Sequence, residues 1–210
     1  MNKRIWELDA FRGLCIIGVV IVHFVYDLVE LYGIIDWKYP AWFSFIKQWG
    51  GILFLLLSGV CVTLGKRSVR RGLIVFVCGL LISAVTYGMY ALNMSGKGII
   101  IYFGVLHCLG VCMMLWPLVK KLPWWALAAV GVAFVALGFW MKEQPGVDTQ
   151  WLMPLGLPWE GFKSSDYFPL FPNLGYFLVG AAIGRTAYAN KQSLLPKVPA
   201  EKGILGFLQW

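Results

Sequence analysis

Apolar stretches recur all along this chain, from "FRGLCIIGVVIVHFVYDLVE" to "NLGYFLVGAAIGR", each bounded by a short segment bearing charges, Pro or Gly. A run of about 20 such residues crosses the hydrocarbon core of a bilayer as an α-helix, so the spacing predicts a polytopic helical bundle. Composition agrees: of 210 residues, 60% are hydrophobic and 13% charged, with a mean hydropathy of +0.73. No ordinary soluble domain has that balance. The expected fold is all-α, one transmembrane domain over residues 1–210 with neither linker nor soluble appendage.

Spans are expected at roughly 10 to 33, 42 to 65, 72 to 92, 99 to 118, 123 to 141 and 173 to 189, six in all, with a seventh starting near Gly203. The opening Met1-Asn2-Lys3-Arg4 before an apolar run reads as a membrane helix and not a cleaved signal, because the run is long, holds Arg12 and lacks a small-residue cleavage pattern. With the N-terminus cytoplasmic, twelve cations fall inside: Lys3, Arg4, Lys66, Arg67, Arg70, Arg71, Lys120, Lys121, Arg185, Lys191, Lys197 and Lys202. Five fall outside, Lys38, Lys47, Lys97, Lys142 and Lys163, which is the bias expected of an N-in orientation. The net charge of +8 therefore encodes topology, and no nucleic-acid partner is needed to explain it. The expected location is a cell membrane, multi-pass, and the cytoplasmic membrane if the source is prokaryotic. A homo-oligomer is compatible with such a chain.

Cys15, Cys61, Cys78, Cys108 and Cys112 all lie inside expected spans with no CxxC motif. They fit neither a disulfide framework nor a zinc site, and no metal is expected. Cys108 and Cys112 read as two small fillers on one helix face.

The first apolar run holds Asp9, Arg12, His23, Asp27 and Glu30. At 100° per residue, the eleven-residue step from Arg12 to His23 returns to within about 20° of the same face while rising about 16 Å. On the same reckoning Glu30 lies near 0° and Asp9 and Asp27 near 60° from Arg12, so all five form one stripe between the membrane faces. An ionisable group at mid-membrane costs on the order of 3 kcal/mol, so the stripe is expected to line a bundle interior or wet cavity. For Asp9 and Arg12 the competing reading is an interfacial ion pair, and for Asp27 and Glu30 a place among headgroups. His23 sits too deep to snorkel. His107, in "YFGVLHCLGVCMML", falls at a similar depth, where it either works with His23 or makes an interhelical hydrogen bond. The long loop 142–172, with Trp151, Trp159, Asp166 and "DYFPLFPNLGYF", either caps a site from outside or forms an aromatic belt.

These segments resemble a known group. "LDAFRGLCIIGVVIVHF" is similar to the first helix of the transmembrane acyltransferases, with an Arg followed after ten residues by a His. "FLLLSGVCVTLGKRSVRRG", "YFGVLHCLGV" and "DYFPLFPNLGYFLVGAAIGR" together resemble the bacterial branch of the heparan-alpha-glucosaminide N-acetyltransferase catalytic-domain family, over most of the chain. The resemblance implies acetyl transfer from cytoplasmic acetyl-CoA to an amino-sugar or other glycan-type acceptor on the far side. Arg12 and His23 match the first-helix motif, and His107 the polar position of the "GVL-x-x-LG" segment. Animal members carry Asn where His23 stands, with a histidine in the following loop, and members continue into a complete C-terminal helix.

Under that implication His23 is the expected base, or the nucleophile of an acetyl-imidazole intermediate. His107 would orient the acceptor or polarise the thioester, and Asp27, Glu30 and Asp166 would contact the acceptor. Arg12, Lys66, Arg67, Arg70 and Arg71 are the cations available to the donor's phosphates, although the last four also serve as topology signals. The competing classes are a proton-coupled transporter using the stripe as a relay and a non-catalytic membrane bundle. No inverted repeat or pair of broken helices supports the transporter.

Overall fold

The computed structural model describes residues 5–94 and 96–195. They form six α-helices in up-and-down order: α1 Trp6–Tyr26, α2 Ala41–Leu64, α3 Ser68–Ala91, α4 Val105–Val119, α5 Trp124–Lys142 and α6 Leu170–Ala187. A π-helical turn, Asp27–Leu31, extends α1, and short 3-10 turns lie at Lys97–Ile99 and Gln150–Leu155. Pairing of extended chain among the described residues is limited to one bridge between Phe103 and Tyr167. The seventh expected span lies outside the described residues.

Local sequence sets several boundaries. Helices α2, α5 and α6 each begin immediately after a proline in extended conformation, Pro40, Pro123 and Pro169, a position where the missing N–H removes no helical bond. The continuous part of α6 starts at Pro172, because Phe171 has φ −103° and ψ 129°. The fourth helix begins at Val105 and not near residue 99 as its apolarity suggests. Residues 100–104 are held extended by neighbours instead. Ser83 Oγ of α3 donates to the Ile101 carbonyl at 2.5 Å, and the Ile101 N–H donates to Thr86 Oγ1 at 3.2 Å. Backbone groups paired in this way cannot also serve a helix.

Length and apolarity single out α1 with its π turn, α2, α3 and α5 as able to cross a membrane. Helix α4 is apolar but shorter. Helix α6 is central, packed between α2 and α5 and touching α4, whereas α3 pairs with α4 and α1 leans chiefly on α2. A helix shielded from lipid on most sides need not be uniformly apolar, and α6 carries Asn173 and Arg185.

Lipid offers no hydrophobic drive for helix association, so close packing must supply it. Here it comes from small residues. A side chain on Gly59 of α2 would strike the Phe177 carbonyl of α6, and one on Gly180 of α6 would strike Leu56 of α2. Gly131 of α5 meets Gly175 of α6 in the same way, as Gly72 of α3 meets Gly110 of α4. Around these contacts Leu55, Cys108, Cys112, Leu127, Phe177 and Leu178 are wholly buried. The Cys108 and Cys112 sulfurs lie 4.0 Å apart as free thiols inside this core.

Helix α1 is the least packed element. Its first turns join Leu57, Val60 and Tyr188 through Leu8, while Leu14, Val20, Ile21 and Phe24 face outward. Its start is also clamped, because Glu7 accepts from the Ser193 hydroxyl and from the Leu194 N–H, both at 2.7 Å.

Candidate functional site

Helices of alternating direction give the bundle two ends. One holds the start of α1, the α2–α3 and α4–α5 turns and the end of α6; the other holds the end of α1, residues 92–104 and the long loop. The polar residues expected to act divide between them.

At the end of α1, His23, Tyr26 and Asp27 follow one another on neighbouring helical turns. The uniform 100° reckoning stops at Tyr26, because Asp27–Leu31 is π-helical. Glu30 is therefore displaced from the straight stripe that an unbroken α-helix would give. Such single-turn widenings are frequent at functional sites.

The long loop is ordered over this end. Tyr167 Oη donates to the Met153 carbonyl at 2.7 Å, Ser165 Oγ to the Ile99 carbonyl at 2.8 Å, and the Phe168 N–H to the Phe103 carbonyl at 2.9 Å. Tyr102, Trp159, Phe162 and Tyr167 form an edge-to-face aromatic cluster that backs it. These bonds deliver Asp166 to the first turn of α4, where its Oδ2 accepts the Val105 N–H at 3.0 Å. A helix N-terminus offers unpaired N–H groups and a positive field, which suit a carboxylate. Gly104 must lack a side chain here, since a Cβ would run into Asp166 Oδ2.

Burial pushes the Asp166 carboxyl above its ordinary value of 3.8, while the Val105 N–H and the field of His23 draw it back. His23 of α1 and Asp166 of the loop thus lie at the same end of the bundle. His23 itself is exposed, on the loosely packed stretch of α1.

His107 is 2% exposed on the first turn of α4. Its Nδ1 accepts the Gly104 N–H at 3.2 Å, and its Nε2 stands 3.4 Å from Ser83 Oγ. The Ser83 proton is committed to Ile101, and Nδ1 is an acceptor. Nε2 therefore carries the hydrogen and donates to Ser83, which makes the ring neutral. Phe76 stands edge-on to it and Phe103 stacks on it, with centroids 5.4 and 5.6 Å away. With both nitrogens occupied, His107 has no free position through which to share a proton with His23.

At the opposite end, Arg12 Nη1 bonds Asp9 Oδ1 at 3.1 Å. The Arg12 guanidinium also reaches Cys61 of α2, and Arg71 of α3 approaches the same thiol while lying across Gly65. Two guanidiniums from different helices therefore converge where α2 ends. Lys66, Arg67 and Arg70 are exposed beside them without an ion-pair partner among the described residues.

Sequence reasoning gave Arg185 only a topological role. In the structure it donates to the Lys120 and Leu122 carbonyls and stacks 5.5 Å from the Trp116 ring, locking the α4–α5 turn to α6. Beside it is a cleft of about 380 Å³ lined by Trp116, Trp124, Arg185 and Lys191. Its one foreshadowing signal is a lone arginine near the end of an otherwise apolar helix.

The fold and these two polar ends define a multi-pass helical membrane protein with ionisable groups at both ends of one loosely held helix. The model of the heparan-alpha-glucosaminide N-acetyltransferase catalytic domain matches residues 4–209. The chain belongs to that family, whose name denotes acetyl transfer. No curated protein and no solved structure matches it.

Proposed function

We propose that the chain is a membrane acetyltransferase that takes acetyl from acetyl-CoA at the end bearing Arg12 and passes it to an amino-sugar or glycan-type acceptor at the end bearing Asp166. In this reading all six helices span the membrane, the N-terminus faces the cytoplasm, and residues 1–210 act as one domain. The excess of cations at the α1-start end supports that orientation.

The observation that carries the reading is the placement of Arg12 and His23 on one face of α1, about 16 Å apart. Arg12 and Arg71 stand at one end of the bundle near Cys61, and His23 stands toward the other end with Asp166. A phosphate-bearing donor calls for convergent guanidiniums, and Arg binds phosphate through two donors at once. Arg12 and Arg71 supply that, with Lys66, Arg67 and Arg70 adding a positive field. At the other end His23 takes the acceptor's proton as its nitrogen attacks the thioester carbonyl. The new C–N bond forms, the C–S bond breaks, and the proton held by His23 passes to the departing thiolate. Asp166, held at the start of α4 at the same end of the bundle as His23, orients the acceptor. Asp27 and Glu30 bind the acceptor, and His107 acts as a positioning residue that fixes the start of α4.

The test is acetyl transfer from labelled acetyl-CoA by the purified full chain in nanodiscs. His23→Ala should lower kcat by about 100-fold or more, as loss of a general base does, while leaving thermal stability unchanged. Wild-type turnover by that variant would remove His23 from the chemistry.

A further inference from the structure

At the end of the bundle opposite His23, four helix ends meet around the cleft beside Arg185. The last turn of α2 supplies Leu64, α4 supplies Trp116, α5 opens with Trp124, and α6 ends in Arg185 and Tyr188, with Lys191 just beyond. Its volume of about 380 Å³ falls within the roughly 300–1,000 Å³ typical of small-ligand sites. Helix α5 is long and apolar enough to cross a membrane, so its first residue, Trp124, marks the level where hydrocarbon gives way to headgroups. Trp124 is 54% exposed, which makes it part of the outer surface of the bundle as well as a wall of the cleft. Trp125 and, on the last turn of α4, Leu118 are also exposed.

The polar side of the cleft is cationic. Arg185 donates from one terminal nitrogen to the Leu122 carbonyl and from the other to the Lys120 carbonyl, which leaves three of its five N–H groups for another acceptor. Lys191 is exposed, and so are Lys120 and Lys121 on the turn that Arg185 holds. None of these four cations has an ion-pair partner among the described residues. Glu7, whose field reaches Tyr188, is committed to the Ser193 hydroxyl and the Leu194 N–H.

A second observation concerns Lys191. Its φ is 53°, a left-handed backbone that glycine adopts at less cost, and its N–H donates to the Tyr188 carbonyl at 2.9 Å. Glycine would close that turn more cheaply, but it would bring no ammonium to the cleft. The cations call for an anion, and the apolar rim says which kind. A soluble phosphate would meet the cations alone, whereas a phospholipid also covers Leu118, Trp124 and Trp125. Basic pockets between membrane helices at a cytoplasmic face take anionic headgroups for this reason.

We propose that this cleft holds the phosphate headgroup of an anionic phospholipid from the leaflet on the Arg12 side, and that the bound lipid ties the α4–α5 turn to the ends of α2 and α6. The site is independent of acetyl transfer. It is tested by native mass spectrometry of the full chain released from detergent micelles, titrated with phosphatidylglycerol or with phosphatidylcholine.

The wild type should hold one phosphatidylglycerol at least about fivefold more tightly than phosphatidylcholine, the effect of roughly one lysine at an anionic headgroup. Lys191→Gln should lose that margin and leave phosphatidylcholine binding unchanged, while Lys191→Arg should keep it. Lys142→Gln removes an equal charge from the far end of α5 and should change nothing. Equal affinity for the two lipids, unchanged phosphatidylglycerol binding in Lys191→Gln, or an equal loss in Lys142→Gln would overturn the site. Glycerol 1-phosphate and coenzyme A, which carry phosphate without acyl chains, should not displace the lipid. Displacement by either would overturn the lipid assignment and give the cleft to a soluble phosphate.

Discussion

The Asp166 carboxylate accepts the Val105 N–H at 3.0 Å across 61 residues of chain, so a loop residue caps the helix that carries His107. Asp166→Ala leaves that N–H unpaired and should cost about 1 kcal/mol, the usual loss for a helix cap. Asp166→Asn keeps an acceptor oxygen and should retain most of the stability. Thermal unfolding of both variants in one detergent checks the order.

The same carboxyl gives stability a pH dependence of defined sign. Burial raises its folded pKa above the ordinary 3.8 despite the Val105 bond and His23. The folded protein then binds the proton more tightly than the unfolded chain does. The contribution is complete below the ordinary value and is lost as pH rises through the raised one. Unfolding midpoints should therefore fall across that mildly acidic window in the wild type and fall less in Asp166→Asn. A steeper slope in the variant would contradict the assignment.

On the donor side the structure separates two neighbouring arginines. Both are exposed and without an ion-pair partner among the described residues, but Arg71 lies across Gly65 near Cys61, where α2 ends, and Arg70 does not. Arg71→Gln should raise the KM for acetyl-CoA by about three- to tenfold with little change in kcat, the signature of a contact equal in ground and transition states. Arg70→Gln should change KM by less than about twofold, as expected of a screened surface charge. Topology mapping of both variants guards against a change of orientation.

The all-helical character and several helix boundaries were legible because apolar runs are bounded by residues that break or cap a helix, such as Pro40, Gly65, Pro123 and Pro169, while the expected seventh span lies outside the described residues. The Arg12–His23 register was legible for the same reason, since α1 is regular from Trp6 to Tyr26. What escaped depends on partners distant in sequence. The start of α4 is set by Ser83 and Thr86 gripping Ile101, and no local signal in "IIYFG" distinguishes that from helix. The π turn at Asp27–Leu31 breaks a periodicity that composition would continue. Arg185 binds carbonyls of a turn 63 and 65 residues away, which a count of charges records only as topology. For His107 the sequence left open a partnership with His23 or an interhelical hydrogen bond, and its bonds to Gly104 and to Ser83 of α3 depend on partners the sequence could not place.

The central claim is that acetyl passes through the bundle from the Arg12 end to the Asp166 end. In sealed vesicles of known orientation, labelled acetyl-CoA supplied at the Arg12 face should acetylate glucosamine confined to the opposite face, with no glucosamine crossing. His23→Ala vesicles should show background label only. Product formed solely when both substrates share the Arg12 face would contradict the through-membrane account.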